Sequence, residues 1–179
     1  TFEGSTITGL LPAAAHSGRY SFWSNRGDES NMNLTREFDF TNVSGKIEFT
    51  YATWYDIEED WDYLYLEVSE DGKTWEMIQT PSGTDTDPTG QNYGWAFTGQ
   101  TSGWIEETVN LSAYAGRKVQ IRFDYVTDAA VNGEGLLLDD VRVAAGARLG
   151  ADARVDGEPV LLDLLVEERL RPEVVVGEE

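Results

Sequence analysis

Apolar and polar side chains alternate through two neighbouring stretches of the chain. Ile47, Phe49, Tyr51 and Thr53 interleave with Lys46, Glu48, Thr50 and Ala52, and Leu64, Leu66 and Val68 interleave with Tyr63, Tyr65 and Glu67. A period of two is that of a strand with one buried face, so the pattern predicts two strands flanking the loop WYDIEEDWD. Further strands are read over residues 20–24, 34–40, 104–111, 118–127 and 136–143; the first alternates in the same way, and in the fourth Val119, Ile121, Phe123 and Tyr125 make one apolar face. Turn-forming residues punctuate these runs at 26–33, 41–45 and 131–135, and Asp71-Gly72 is a two-residue hairpin signal with Trp75 opening the return strand. Residues 81–103 read as a long loop with room for a short strand, because Tyr93, Trp95 and Phe97 fall at alternate positions.

Some eight or nine strands with no helix between them predict an all-β fold, an antiparallel two-sheet sandwich of jelly-roll type. Its facing surfaces are expected to be lined by Ile47, Phe49, Tyr51, Leu64, Leu66, Val68, Val119, Ile121, Phe123, Leu136 and Leu138. The pattern changes after Ala145: residues 146–179 contain no aromatic side chain. We therefore expect one domain over residues 1–145 and, over 146–179, a linker, the start of a next domain or an assembly segment. Within the latter, residues 161–170 suit a short helix and 174–176 a strand, with Pro172 between them. Its apolar residues are too many for a free tail and too few for a core, so packing against a neighbouring domain or copy, by strand addition to a sheet edge, is expected. A chain that opens at Thr1 reads as a processed protein or an excised segment.

Composition agrees with strands: aromatics make up 12 % of the residues, and there are 18 glycines. Charge narrows the partners. With 33 acidic and 13 basic residues the formal net charge is -20, which repels phosphate backbones and anionic lipid, so neither nucleic acid nor membrane insertion is expected. The chain has no cysteine, which rules out disulfides and thiolate metal sites, and suits a secreted bacterial protein stapled by calcium as well as a cytosolic one. His16 is the only histidine, so an HExxH zinc centre is impossible and a Ser-His-Asp site is disfavoured; no GxSxG elbow is present. Paired carboxylates for glycoside hydrolysis remain conceivable by composition, but their separation is not written in a sequence.

The loop itself carries Asp56, Glu58, Glu59, Asp60 and Asp62. Such a loop is either solvated and tolerant of its charge or held by a counterion, and a hard cation with oxygen ligands, Ca2+, is the simplest one outside a cell. Arg26-Gly27-Asp28 spells an integrin-ligand tripeptide, but three common residues in a loop arise by chance; Asp28 and Glu29 read instead as cation ligands. Together with Glu58, Asp60 and Glu134 they are expected to share an ion, since three acidic loops brought together without one would cost several kcal/mol. Tyr55, Trp61, Tyr93 and Trp95 form a candidate platform for sugar rings, set against an equal expectation that they pack inside the protein.

The segments WSNRGDESNMNLTREFDF, TYATWYDIEEDWDYLYLEVSEDGKTW and WIEETVNLSAYAGRKVQIRFDYVTDAAVNGEGLLLDDVRV, in that order, resemble the MAM-like jelly-roll module that follows the catalytic domain of immune inhibitor A-type secreted bacterial metallopeptidases. The resemblance covers about residues 16–145 and implies a non-catalytic, extracellular, cation-binding module of a larger peptidase, with the zinc centre elsewhere. Phe2-Glu3-Gly4, HSGRYS and LLDDV are also similar to the calcium framework of carbohydrate-binding jelly rolls. That similarity implies an ion shared by Glu3 and Asp140, with Asp139 as a further candidate. Two rival functions stay open: a carbohydrate-binding module acting on a glycan or cell-surface polymer, and a subunit of an extracellular assembly joined through residues 146–179.

Overall fold

The computed structural model describes residues 11–147 and the short segments Arg154–Val155 and Glu158–Pro159. Nine strands build the body: β1 (Phe22–Trp23), β2 (Asn31–Asp39), β3 (Val43–Asp56), β4 (Tyr63–Ser69), β5 (Glu76–Met77), β6 (Ala96–Phe97), β7 (Ile105–Asn110), β8 (Lys118–Val126) and β9 (Gly135–Ala147). Two more, β10 (Arg154–Val155) and β11 (Glu158–Pro159), pair only with each other. The first sheet has the order β1-β9-β3-β7 and the second β2-β8-β4-β5, with β6 also on β4; every pairing is antiparallel. The two sheets face each other as a sandwich.

The alternation that predicted the strands also decides what meets between the sheets. All eleven side chains expected there are buried. The centre is aromatic: Tyr51 on β3 meets Phe123 on β8 edge to face at 4.9 Å, and Phe49 meets Phe38 on β2 at 6.1 Å and 81°. Edge-to-face pairs place a ring's positive rim on its neighbour's negative face, which adds about 1 kcal/mol to the area each ring removes from water.

Two local features differ from the sequence expectation. The turn after β4 is wider than a two-residue hairpin, because β5 begins only at Glu76. There the Asp71 carboxylate accepts the Lys73 and Thr74 N–H groups (2.8 and 2.7 Å), closing a side-chain turn that competes with the tighter backbone one. All of β4 is buried, on both faces, because residues of the 81–103 loop return across it and pair as β6. The helix and strand expected within 161–176 lie outside the described residues, as does Glu3.

Candidate metal centre

Three loops meet at the end of the sandwich where β4 starts and β8 stops. Residues 57–62 turn sharply: the Asp62 N–H donates to the Glu58 carbonyl at 3.1 Å, so two carboxylates four residues apart project to the same side. Asp60, at φ 66, supplies the left-handed residue of this turn. Its N–H donates to Thr98 Oγ1 and its carbonyl accepts from Thr89 Oγ1 (2.8 and 2.6 Å), so the backbone of Asp60 is tied to the 81–103 loop.

Residues 128–135 form the second loop. Gly133 lies so close to the end of β3 that an added methyl would overlap the Asp56 carbonyl oxygen. Only glycine allows that approach, which holds this loop against the end of β3, while Asp128 is set beside Asp62 by its N–H on Asp62 Oδ1 at 3.0 Å. The third loop, residues 24–30, is sewn on by Thr127, whose Oγ1 accepts from Ser30 N and donates to the Gly27 carbonyl (2.9 and 2.7 Å). Glu29 N donates to the Asp128 carbonyl at 2.5 Å, and Asp28 Oδ1 accepts from Asn132 Nδ2 at 2.5 Å.

The result is a cluster of Glu58, Asp62 and Asp128, one oxygen of each lying within 4.8 Å of the others. Asp62 is fully buried; it accepts from Asp128 N at 3.0 Å and from the Tyr125 hydroxyl at 3.3 Å. Glu58 Oε2 is buried and has no hydrogen-bond partner among the described residues. Loss of solvent pushes the Glu58 carboxyl above its ordinary range, and Asp128, Asp62 and Asp28 push it further the same way. The Asp62 carboxyl is also raised, chiefly by burial, against the downward pull of its hydrogen bonds. Among the described residues, the charges acting on these two carboxyls are other carboxylates. Ca2+ binds oxygens at about 2.3–2.6 Å, so two ligands on opposite sides of one ion stand about 5 Å apart, a span into which this cluster fits.

The other sequence-predicted residues are distributed as follows. Asp28 lies close enough to the acidic loop to raise Glu58, whereas Glu29 meets the 128–135 loop through its backbone N–H on the Asp128 carbonyl. Glu134 accepts from Arg26 Nη1 at 2.9 Å, and Asp60 contributes its backbone ties, so the converging trio is Glu58, Asp62 and Asp128 rather than Glu58, Asp60 and Glu134. Asp62 had a signal in the sequence: it falls on the same alternate positions as Leu64, Leu66 and Val68 and so points inward. Asp128 had none, being one acid in a loop whose path depends on Gly133. At the other candidate centre, Asp140 (φ 47, at a bulge of β9) accepts from Ser17 Oγ and Arg142 Nη2, both at 2.9 Å, and pairs with His16 Nδ1 at 2.9 Å. Asp139 Oδ2 accepts from Ser17 N at 2.9 Å. These contacts tie residues 16–17 to the last strand.

The aromatic candidates separate as well. Tyr55 is a core residue, packed on Phe97 at 5.6 Å, and has no face to offer a ligand because β3 turns it inward. Trp95 is half-buried, whereas Trp61 and Tyr93 are exposed at 43 % and 70 %.

The sequence matches the family described as immune inhibitor A-like, MAM domain, over residues 1–161. It is 32 % identical to the pre-pro-metalloprotease PrtV of Vibrio cholerae over 163 residues, 91 % of this chain and 16 % of that protein. Identity to bacillopeptidase F of Bacillus subtilis is 30 % over 118 residues, 65 % of this chain and 7 % of the relative. Immune inhibitor A of Bacillus thuringiensis matches at 29 % over 147 residues, 80 % of this chain and 20 % of the relative. The chain thus spans a fifth or less of each relative's length, and it belongs to the immune inhibitor A-like MAM-domain family.

Proposed function

We propose that this member of the immune inhibitor A-like MAM family is a non-catalytic accessory module of a larger extracellular bacterial peptidase, held in shape by Ca2+ at Glu58, Asp62 and Asp128. The observation that supports the reading is the meeting of those carboxylates, one with a buried oxygen that has no partner among the described residues. An ion there would fasten the 57–62 turn and the 128–135 loop, and through Glu29 and Asp28 the 24–30 loop, to one point. Binding to the folded chain alone stabilises it by mass action, about 2.7 kcal/mol when the ion is a hundredfold above its dissociation constant. A module of this kind supplies rigidity and spacing beside a catalytic domain, which agrees with the small fraction of each relative that it spans. Extracellular placement rests on the same ion, which is abundant there, and on the lack of cysteine. Among the described residues no helix is long and apolar enough to cross a membrane.

The ion that resemblance implies for Glu3 and Asp140 is a separate proposal from this centre, because Asp140, on β9, meets His16 and Ser17 instead. Thermal melting in millimolar calcium and in excess chelator tests the main reading. The midpoint should rise in calcium for the natural chain and stay fixed when Glu58→Gln and Asp62→Asn are combined. A midpoint indifferent to calcium in the natural chain overturns the ion; a calcium response that survives the double substitution moves it to another site.

A further inference from the structure

Both sheets end on the side of the sandwich where β9 faces β2. The strand β1 is two residues long and pairs only with Leu137 and Leu138, so among the described residues the rest of that edge of β9, from residue 139 to Ala147, has no neighbouring strand. Across from it, β2 pairs with β8 alone among the described residues. A free edge presents a row of main-chain donors and acceptors, and folded proteins cover such edges when they are long.

Between the two edges lies an apolar cavity of about 140 Å³. Its lining takes Phe22 from β1, Leu34 and Phe38 from β2, Val141 from β9, and Phe49 and Phe123 from the core behind them. An apolar cavity of about 150 Å³ accepts a benzene molecule, so this one has the size and the walls for a single phenyl ring.

The start of the chain is within reach of this cavity. Ser17 donates from N to Asp139 and from Oγ to Asp140, both at 2.9 Å, where the free edge begins, and the Ala14 carbonyl accepts from Trp104 Nε1 at 3.0 Å. Residues 14–17 therefore cross the outer face of the first sheet. Nine residues separate Phe2 from Leu11, about 30 Å when extended, whereas four strands side by side span about 15 Å.

Composition and family extent choose the occupant. In TFEGSTITGL the one aromatic ring is Phe2. Glu3, next to it, points to the opposite side in an extended chain, toward the outer face where Arg142 donates to Asp140. The family match begins at residue 1 and stops at 161, so residues 1–10 fall within it and residues 162–179 outside. A second copy would bring a further charge of -20 against the same molecule.

We propose that residues 2–7 add to the free edge of β9 as a further strand of the first sheet, with the Phe2 ring seated in the cavity beside Val141. The added strand meets the main-chain groups along β9. The ring supplies a core side chain where both sheets stop. Seating it fastens the start of the domain to its last strand, and no ion is needed for that.

The test uses the full 179-residue chain, with calcium and with chelator, so that its outcome is separate from that of the ion. Nuclear Overhauser contacts should run from the Phe2 ring to methyl groups of Leu34, Ile121 and Val141. Phe2→Ala should lower the melting midpoint by about 6 °C or more, and Phe2→Leu, which refills much of the cavity, by clearly less. A sample mixing isotope-labelled and unlabelled chains should show that the contacts arise within one chain. The proposal is overturned if the Phe2 ring makes no contact with those methyl groups, if the contacts join two chains, if Val174, Val175 or Val176 makes them instead, or if Phe2→Ala melts as the natural chain does.

Discussion

Two groups of acids lie on or just beyond strands β4 and β8, and among the described residues only one of them is in contact with an arginine. On the outer face Glu67 and Asp124 flank Arg122, which arrives from the paired position on the next strand. At the strand ends Glu58, Asp62 and Asp128 meet, and the charges that act on Glu58 and Asp62 are other carboxylates. Burial raises the carboxyls of Glu67, Asp124, Glu58 and Asp62 alike, and desolvation is the largest influence on each. The difference lies in what answers it: Arg122 pulls Glu67 and Asp124 down, while like charges push Glu58 further up. A sheet interior can recruit a counter-charge by register, because every position has a cross-strand neighbour. Where the ladder ends, that neighbour is missing and an ion from solution is the available substitute.

The sharpest way to break the comparison is to remove the internal cation. Arg122→Met leaves Glu67 and Asp124 buried without their base, and also removes what Trp75 covers. Breaking a pair of this burial costs about 3 kcal/mol. Urea unfolding should show that loss equally with and without calcium. If added calcium restored the variant, the outer group would be a metal site in its own right and the contrast would fail.

Next in size is Gly133→Ala. The added methyl must displace the 128–135 loop from the Asp56 carbonyl, at about 2 kcal/mol for an overpacked contact. The same displacement carries Asp128 away from Glu58, so the calcium-dependent rise in midpoint should shrink along with the basal stability. An unchanged calcium response would mean that Asp128 is no ligand.

Much of this was legible in the sequence, and the exceptions have physical causes. Period-two alternation gave the long strands and every expected core residue, because burial on one face leaves a mark on each second residue. The acidic loop was visible for its charge, and Asp62 by its phase with Leu64 and Leu66. Asp128 and Glu134 were not distinguishable, since both are acids in loops near β9's start; only the close approach at Gly133 and the pairing of Glu134 with Arg26 separate them. Tyr55 and Tyr93 are both tyrosines beside turns, yet one ring packs on Phe97 inside and the other lies on Tyr65 outside. That choice belongs to tertiary packing, which a single sequence does not spell out.

A smaller effect distinguishes repulsion from loss of contacts. Asp62→Asn keeps an oxygen for Asp128 N and a polar atom for the Tyr125 hydroxyl while removing a charge. In chelator it should therefore stabilise the chain, by about 1 kcal/mol, through relief of burial and like-charge cost. In saturating calcium it should destabilise relative to the natural chain, because a ligand is gone. A loss under both conditions would show Asp62 to be a structural acceptor only.

The smallest expected effect, and the most specific, is in the pH dependence. Glu58 and Asp62 have carboxyls raised by burial, and for Glu58 also by Asp128, Asp62 and Asp28. Between the ordinary carboxylate value near 4 and the raised folded value, the folded chain holds protons that the unfolded chain has released. Stability in chelator should then fall as pH rises through that window and level off above it, by about 1.4 kcal/mol for each unit of displacement. Saturating calcium reverses the sign, because an ion holds the same carboxylates charged and lowers their folded values; stability is then present above the ordinary range and lost as pH falls. Glu67 and Asp124, also raised, and Asp39 and Asp71, lowered by hydrogen bonds from Thr41 and from Thr74, contribute the same slope in both series. Subtracting the chelator curve from the calcium curve cancels them. The difference should climb as pH rises from the ordinary carboxylate range through the raised folded values and disappear when Glu58→Gln and Asp62→Asn are combined. A flat difference would mean that no proton leaves these carboxylates when the ion binds, and would place calcium elsewhere on the molecule.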